Sequence, residues 1–124
     1  MNESPLGIIL LTYKNKVLLM HKQDGVLDAV DHPWSLIKVF KNNSNSVEKA
    51  LAKLIYKEME ITVENIEFIE KNYYHARLTD KNVNNIKRSE HQLLDFFSVK
   101  EVSKLFLTKD SAEFISSYKH LITL

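Results

Sequence analysis

Trp34-Ser-Leu-Ile-Lys-Val-Phe-Lys-Asn-Asn-Ser-Asn-Ser-Val-Glu-Lys-Ala-Leu-Ala-Lys-Leu-Ile-Tyr-Lys-Glu-Met-Glu-Ile61 reads as a strand, a polar loop and a helix, in that order. Trp34 to Val39 is a short strand. Lys41 to Ser46 is polar and forms the loop. Asn45 or Ser46 can cap the helix that follows, and Asn45 with Glu48 has the spacing of a capping box. From Val47 to Met59 the apolar residues Val47, Leu51, Leu54, Ile55 and Met59 recur on one helical face, with Ala50 between them.

The flanking sequence extends this pattern. Pro5 to Thr12 is an apolar run that fits a buried strand. Val17 to Lys22 follows a polar turn and completes a hairpin. Gln23 to Pro33 reads as a loop. Ile66 to Ala76 is rich in β-formers, Asp80 to Arg88 is polar and reads as a long turn, and Gln92 to Val99 reads as a strand. Ser98-Val-Lys-Glu101 is a capping box that opens a short helix. Asp110-Ser-Ala-Glu113 has the same form, ahead of the amphipathic run Phe114, Ile115, Tyr118, Leu121 and Ile122. Strands mixed with two or three helices, without repeats or linkers, predict one α/β domain over residues 1–124.

Bulk properties narrow the function. The 124 residues suit a single core. Net charge is +1, from 17 basic and 16 acidic residues, which argues against a module held mainly by nucleic-acid phosphates. There is no cysteine, so disulfides, thiolate metal sites and cysteine nucleophiles are excluded. Gly7 and Gly25 are the only glycines, too few for a glycine-rich phosphate loop. No apolar run reaches the length of a membrane span, so no membrane partner is expected. Met1 to Pro5 lacks the basic start of a signal peptide, so a cytoplasmic protein is expected.

The layout resembles the Nudix hydrolase family over nearly the whole chain. Val17 to Lys22 is similar to the family's early strand, and Trp34-Ser-Leu36 to its lead-in to the Nudix box. Asp95 to Val102, with Leu105 and Leu107, is similar to its closing strand and short helix. The resemblance implies an α/β/α sandwich with a mixed, twisted sheet. It also implies hydrolysis of a nucleoside-diphosphate-linked substrate, with Mg²⁺ or Mn²⁺ held by the box glutamates.

Laid on this chain, the box keeps its structural positions and loses most chemical ones. Its first glycine falls on Val39 and its first glutamate on Asn45. Its arginine falls on Lys53, the next glutamate on Leu54, and the paired glutamates on Lys57 and Glu58. Its later glycine falls on Glu60. Glu58 is the one box glutamate retained, a vestigial metal ligand. Hard cations need several anionic oxygens at close range, so metal-assisted attack is expected to be impaired or lost. Glu90, outside the box, is the candidate for a second carboxylate in a working hydrolase; it also reads as an exposed loop residue between Arg88 and His91.

Lys49, Lys53 and Lys57 recur every fourth residue and so share one helical stripe. Lysines bind phosphate as point charges, and the stripe with Trp34 is the candidate contact surface for a nucleotide or other phosphate-bearing ligand. The commoner reading of such a stripe is a solvated helix face. Glu48 reads as a cap partner and Glu60 as a surface residue. The five histidines, His21, His32, His75, His91 and His120, form no short paired motif, and no nucleophile elbow is present. Aromatics at Tyr73-Tyr74 and Phe96-Phe97 read as core packing. A non-catalytic interaction scaffold is the further alternative, and a homodimer is expected by analogy with the fold.

Overall fold

The computed structural model describes residues 4–22, 33–40, 46–88 and 92–123. Among these residues a single sheet has six strands. They are β1 (Gly7–Tyr13), β2 (Lys16–Lys22), β3 (Ile37–Val39), β4 (Glu67–Glu70), β5 (Tyr73–Arg77) and β6 (Gln92–Phe97). The helices are α1 (Val47–Met59), α2 (Asp80–Asn84), α3 (Val99–Val102), α4 (Lys109–Ser117) and α5 (Lys119–Ile122).

β1 is the axis of the sheet. It runs parallel to β5 and antiparallel to β2 and β3, while β4 and β6 form the outer strands. The sheet is therefore mixed. Its continuous apolar sequence suits a strand covered on both faces. Ile9 and Leu11 join the cluster under α1, with Leu51, Ile55 and Met59. Ile8 and Leu10 join the opposite cluster, with Val102, Phe114, Ile115 and Ile122 from α3, α4 and α5. The result is an α/β/α sandwich, as the sequence predicts. Both aromatic pairs follow this division. Tyr74 packs with the α1 layer, and Tyr73 stacks on Phe114 at 4.1 Å between ring centres. Phe96 packs with the α1 layer and Phe97 with the other.

Several local predictions are corrected. The residues from Asp80 onward are not simply a long turn, because they open with α2. Thr79 Oγ1 accepts from Asn82 N at 3.0 Å, and Asn82 Oδ1 accepts from Thr79 N at 3.0 Å. Asparagine closes this capping box in place of glutamate. Of the stretch read as a strand from Trp34, Ile37–Val39 is the ladder. Trp34 and Ser35 make single bridges to Leu107 and Met20.

The helix ends also differ. Ser46 caps α1, its side chain accepting from Lys49 N at 3.1 Å, and Asn45 lies outside the described residues. The Ser98–Glu101 box is present at the start of α3. The proposed box at Asp110 does not form. α4 begins at Lys109 after Thr108, and Asp110 instead bonds Lys38, Thr108 and its neighbour Ser111 N. The final amphipathic run is split at Tyr118, whose backbone (φ −127°, ψ 33°) leaves the helical region.

Two backbone positions set how α1 sits. A Cβ added at Gly7 would lie 2.6 Å from Val47 Cγ1, so a side chain there would push the helix off β1. Gly7→Ala is expected to cost about 1–3 kcal/mol by overpacking, with partial recovery in Gly7→Ala/Val47→Ala, measured by urea unfolding. Glu60 ends α1 in the left-handed conformation at φ 56°, its N–H donating to Tyr56 O. This is where the box has its later glycine. Removing the Cβ penalty by Glu60→Gly should raise stability by about 1 kcal/mol, read as an increased denaturant midpoint at unchanged slope.

Candidate functional site

α1 presents more than its buried face to the sheet. Leu54 and Glu58, one turn apart, lie half-buried on its flank. Both line a cavity of about 340 Å³ between α1 and the β2–β3 region. Met20, Leu36, Ile37 and Phe40 supply most of the remaining wall. Ser35 and Lys38 complete the lining. Ser35 and Leu36 belong to the lead-in quoted from the sequence, whereas Met20, Ile37, Lys38 and Phe40 carry no motif. They come together only because Ser35 bridges Met20 and β3 pairs with β1.

Lys38 lines this cavity, but its charge is committed to the opposite layer. Its Nζ lies 2.7 Å from Asp110 Oδ1 and donates to Thr108 Oγ1 at 3.2 Å. Thr108 Oγ1 is also 2.8 Å from Ser111 Oγ, and buried Ser111 accepts from Leu36 N at 2.9 Å. This network ties the wall of the cavity to the start of α4. Burial acts to raise the Asp110 pKa, but the hydrogen bonds from Lys38 and Thr108, with the Lys38 charge, outweigh it. The carboxyl is held below the ordinary aspartate value.

The other residues singled out from the sequence occupy different places. Lys49, Lys53 and Lys57 are exposed on α1, on the side away from Leu51 and Ile55. Trp34 lies on the opposite face of the sheet from Glu58. Its ring is 5.1 Å from that of His21 and meets Phe97 edge-on at 4.9 Å. Its backbone is bonded to Phe106 O and Thr108 N. Glu90 lies outside the described residues, as do His32 and His91. His75 is buried, with Nε2 2.9 Å from Thr12 Oγ1, and burial together with Arg77 lowers its pKa.

A divalent cation asks for several oxygen ligands. The α1 wall offers the Glu58 carboxylate next to the Leu54 methyl groups, a donor set that does not fit Mg²⁺ or Mn²⁺. Among the described residues, no group of three or more His, Cys, Asp or Glu is placed to hold a metal ion. A larger polar groove, about 680 Å³, lies beyond the C-terminal end of α1. Part of its polar lining is satisfied internally: Lys87 pairs with Glu60 at 3.7 Å, and Asn82 donates to Thr62 O. Among the described residues no helix is long and apolar enough to cross a membrane.

No family profile matches the sequence, and neither does any curated protein. Solved structures do match. A mutT/nudix family protein from Listeria innocua superposes with a TM-score of 0.69 at 15% identity, covering 98% of this chain and 96% of that one. The chain has the Nudix fold. A NUDIX hydrolase from Nitrosomonas europaea matches with a TM-score of 0.62 at 11% identity, over 94% of this chain and 90% of its own. The NUDIX domain of Shewanella oneidensis NrtR, complexed with ADP ribose, matches with a TM-score of 0.61 at 12% identity, over 98% and 91%. The Leu54–Glu58 cavity lies along α1, the helix onto which the sequence resemblance lays the box.

The Lys38–Asp110 link gives a pH test. The folded-state pKa of Asp110 is depressed, so its contribution is whole above the ordinary carboxylate range and is lost as pH falls through the folded value. Asp110→Asn should lower the thermal midpoint near neutral pH. The difference from the parent should close in acid, where the parent carboxylate is protonated too.

Proposed function

We propose that this Nudix-fold chain has impaired or lost pyrophosphohydrolase chemistry and binds a nucleotide or other phosphate-bearing small molecule in the cleft beside α1. One observation carries the proposal. Leu54, at a position where the family resemblance needs a metal-binding glutamate, forms part of an apolar cavity wall. An apolar wall with one carboxylate suits the base or sugar of a ligand better than a metal-bridged diphosphate. Its phosphates would extend toward Lys53 and Lys57, exposed on the same helix. The ADP ribose bound by the Shewanella domain is a ligand of this chemical class.

The test has two arms. In the first, a panel of nucleoside-diphosphate-linked compounds is incubated with the protein and Mn²⁺, and released phosphate and nucleoside monophosphate are measured. No release above buffer is expected. Mn²⁺-dependent turnover that disappears in Glu58→Gln would instead establish a working hydrolase, and its loss in Glu90→Gln as well would identify the acid outside the box. In the second arm, the same panel is screened by thermal shift without metal. A bound ligand at a hundred times its Kd should add about 2.7 kcal/mol of stability. Leu54→Trp should abolish the shift. Lys53→Gln/Lys57→Gln should weaken nucleotides while leaving the matching nucleosides unchanged. Absence of any shift across the panel would favour an interaction scaffold.

A further inference from the structure

A second cavity lies in the other helical layer, across the sheet from Leu54 and Glu58. It has a volume of about 490 Å³ and sits between α3, the loop after it and α4. Its wall is aliphatic: Val99, Val102, Leu105, Leu107, Ala112 and Ile115. Val102 and Ile115 are buried and form its floor. The rest of the lining is Ser103, Ser116, Lys100 and Lys119, all four exposed at the mouth.

The charge at this mouth has one sign. Among the described residues no carboxylate lines the cavity. Glu113, exposed on α4 beside Ala112, is not part of the lining, and two other nearby acids are engaged elsewhere. Glu101 accepts from Ser98 N at 2.8 Å to close the α3 capping box, and Asp110 faces Lys38. An occupant must therefore be apolar along most of its length and anionic at one end. Its size falls in the range of small-molecule pockets, roughly 300–1,000 Å³. Among the described residues the wall offers no aromatic face for a planar ring to stack on. A flexible hydrocarbon chain matches it better than a nucleobase does.

We propose that this groove binds a free single-chain amphiphile with an anionic head, such as a medium-chain carboxylate. The hydrocarbon lies along Val102, Leu105, Leu107 and Ile115, and the head group meets Lys100 and Lys119. Burial of the chain supplies most of the affinity. The two ammonium groups supply the preference for a negative head. The groove shares no residue with the cleft beside α1.

Calorimetric titration of the intact protein with decanoate, kept below its micelle-forming concentration, tests this. Decanol and decyltrimethylammonium are the neutral and cationic comparators. Saturable decanoate binding is expected, with decanol weaker by roughly tenfold, the size of one good charged contact, and no binding of the cation. Lys100→Gln/Lys119→Gln changes only exposed side chains and should bring decanoate down to the level of decanol. Ala112→Leu should weaken both by filling the groove. Leu54→Trp should leave decanoate binding intact, which keeps this result separate from nucleotide binding across the sheet. Three outcomes would overturn the proposal: no saturable decanoate binding, equal uptake of all three amphiphiles, or binding to anionic phospholipid vesicles without binding to the free carboxylate.

Discussion

The double burial of β1 is the constraint on which the rest of the molecule depends. Ile8, Ile9, Leu10 and Leu11 are each at most 1% exposed, and alternate residues feed opposite cores. A strand covered on both faces demands a helical layer on each side. It also fixes register, because a one-residue slip would exchange the two cores. β2, β3 and β5 all pair with this strand, so the hairpin, the lead-in to α1 and the far edge take their positions from it.

α1 packs on the sheet through one face and lines a cavity with its flank. Leu51, Ile55 and Met59 seat the helix, and Gly7 permits its close approach to the sheet. The chain has the Nudix fold at sequence identities of 11–15% to the matched structures. On the flank of the same helix, Leu54 and Glu58 are half-buried. Leu54 there joins an apolar wall. A clustered set of carboxylates would repel one another and require a cation for stability. Glu60 ends the helix in the left-handed conformation that glycine adopts most easily.

Lys38 couples the two layers. Its backbone belongs to β3 and lines the α1 cavity, while its ammonium reaches Asp110 and Thr108 at the head of α4. Ser111 reinforces the link by accepting from Leu36 N. A salt bridge with one side chain only 15% exposed is useful where hydrogen bonds complete it, as they do here. The position of the cavity wall therefore depends on the packing of a helix more than seventy residues further along the chain.

Periodicity and short-range hydrogen bonding made β1, β2, α1 and the start of α3 legible from the amino acids alone. The apolar run, the four-residue helical repeat and the Ser98–Glu101 box each act within a few residues, and each predicts its element. The same logic placed Lys49, Lys53 and Lys57 on one exposed stripe of α1. It missed α2, where Asn82 does the work expected of glutamate, and the break at Tyr118. It could not place Lys38, Trp34 or the cavity wall. Those depend on contacts between residues far apart in the chain, and such contacts leave no local pattern. Periodicity thus determined the layers and α1, whereas strand pairing settled which side chains meet beside it, because only pairing brings Met20, Ile37 and Leu54 around the same space.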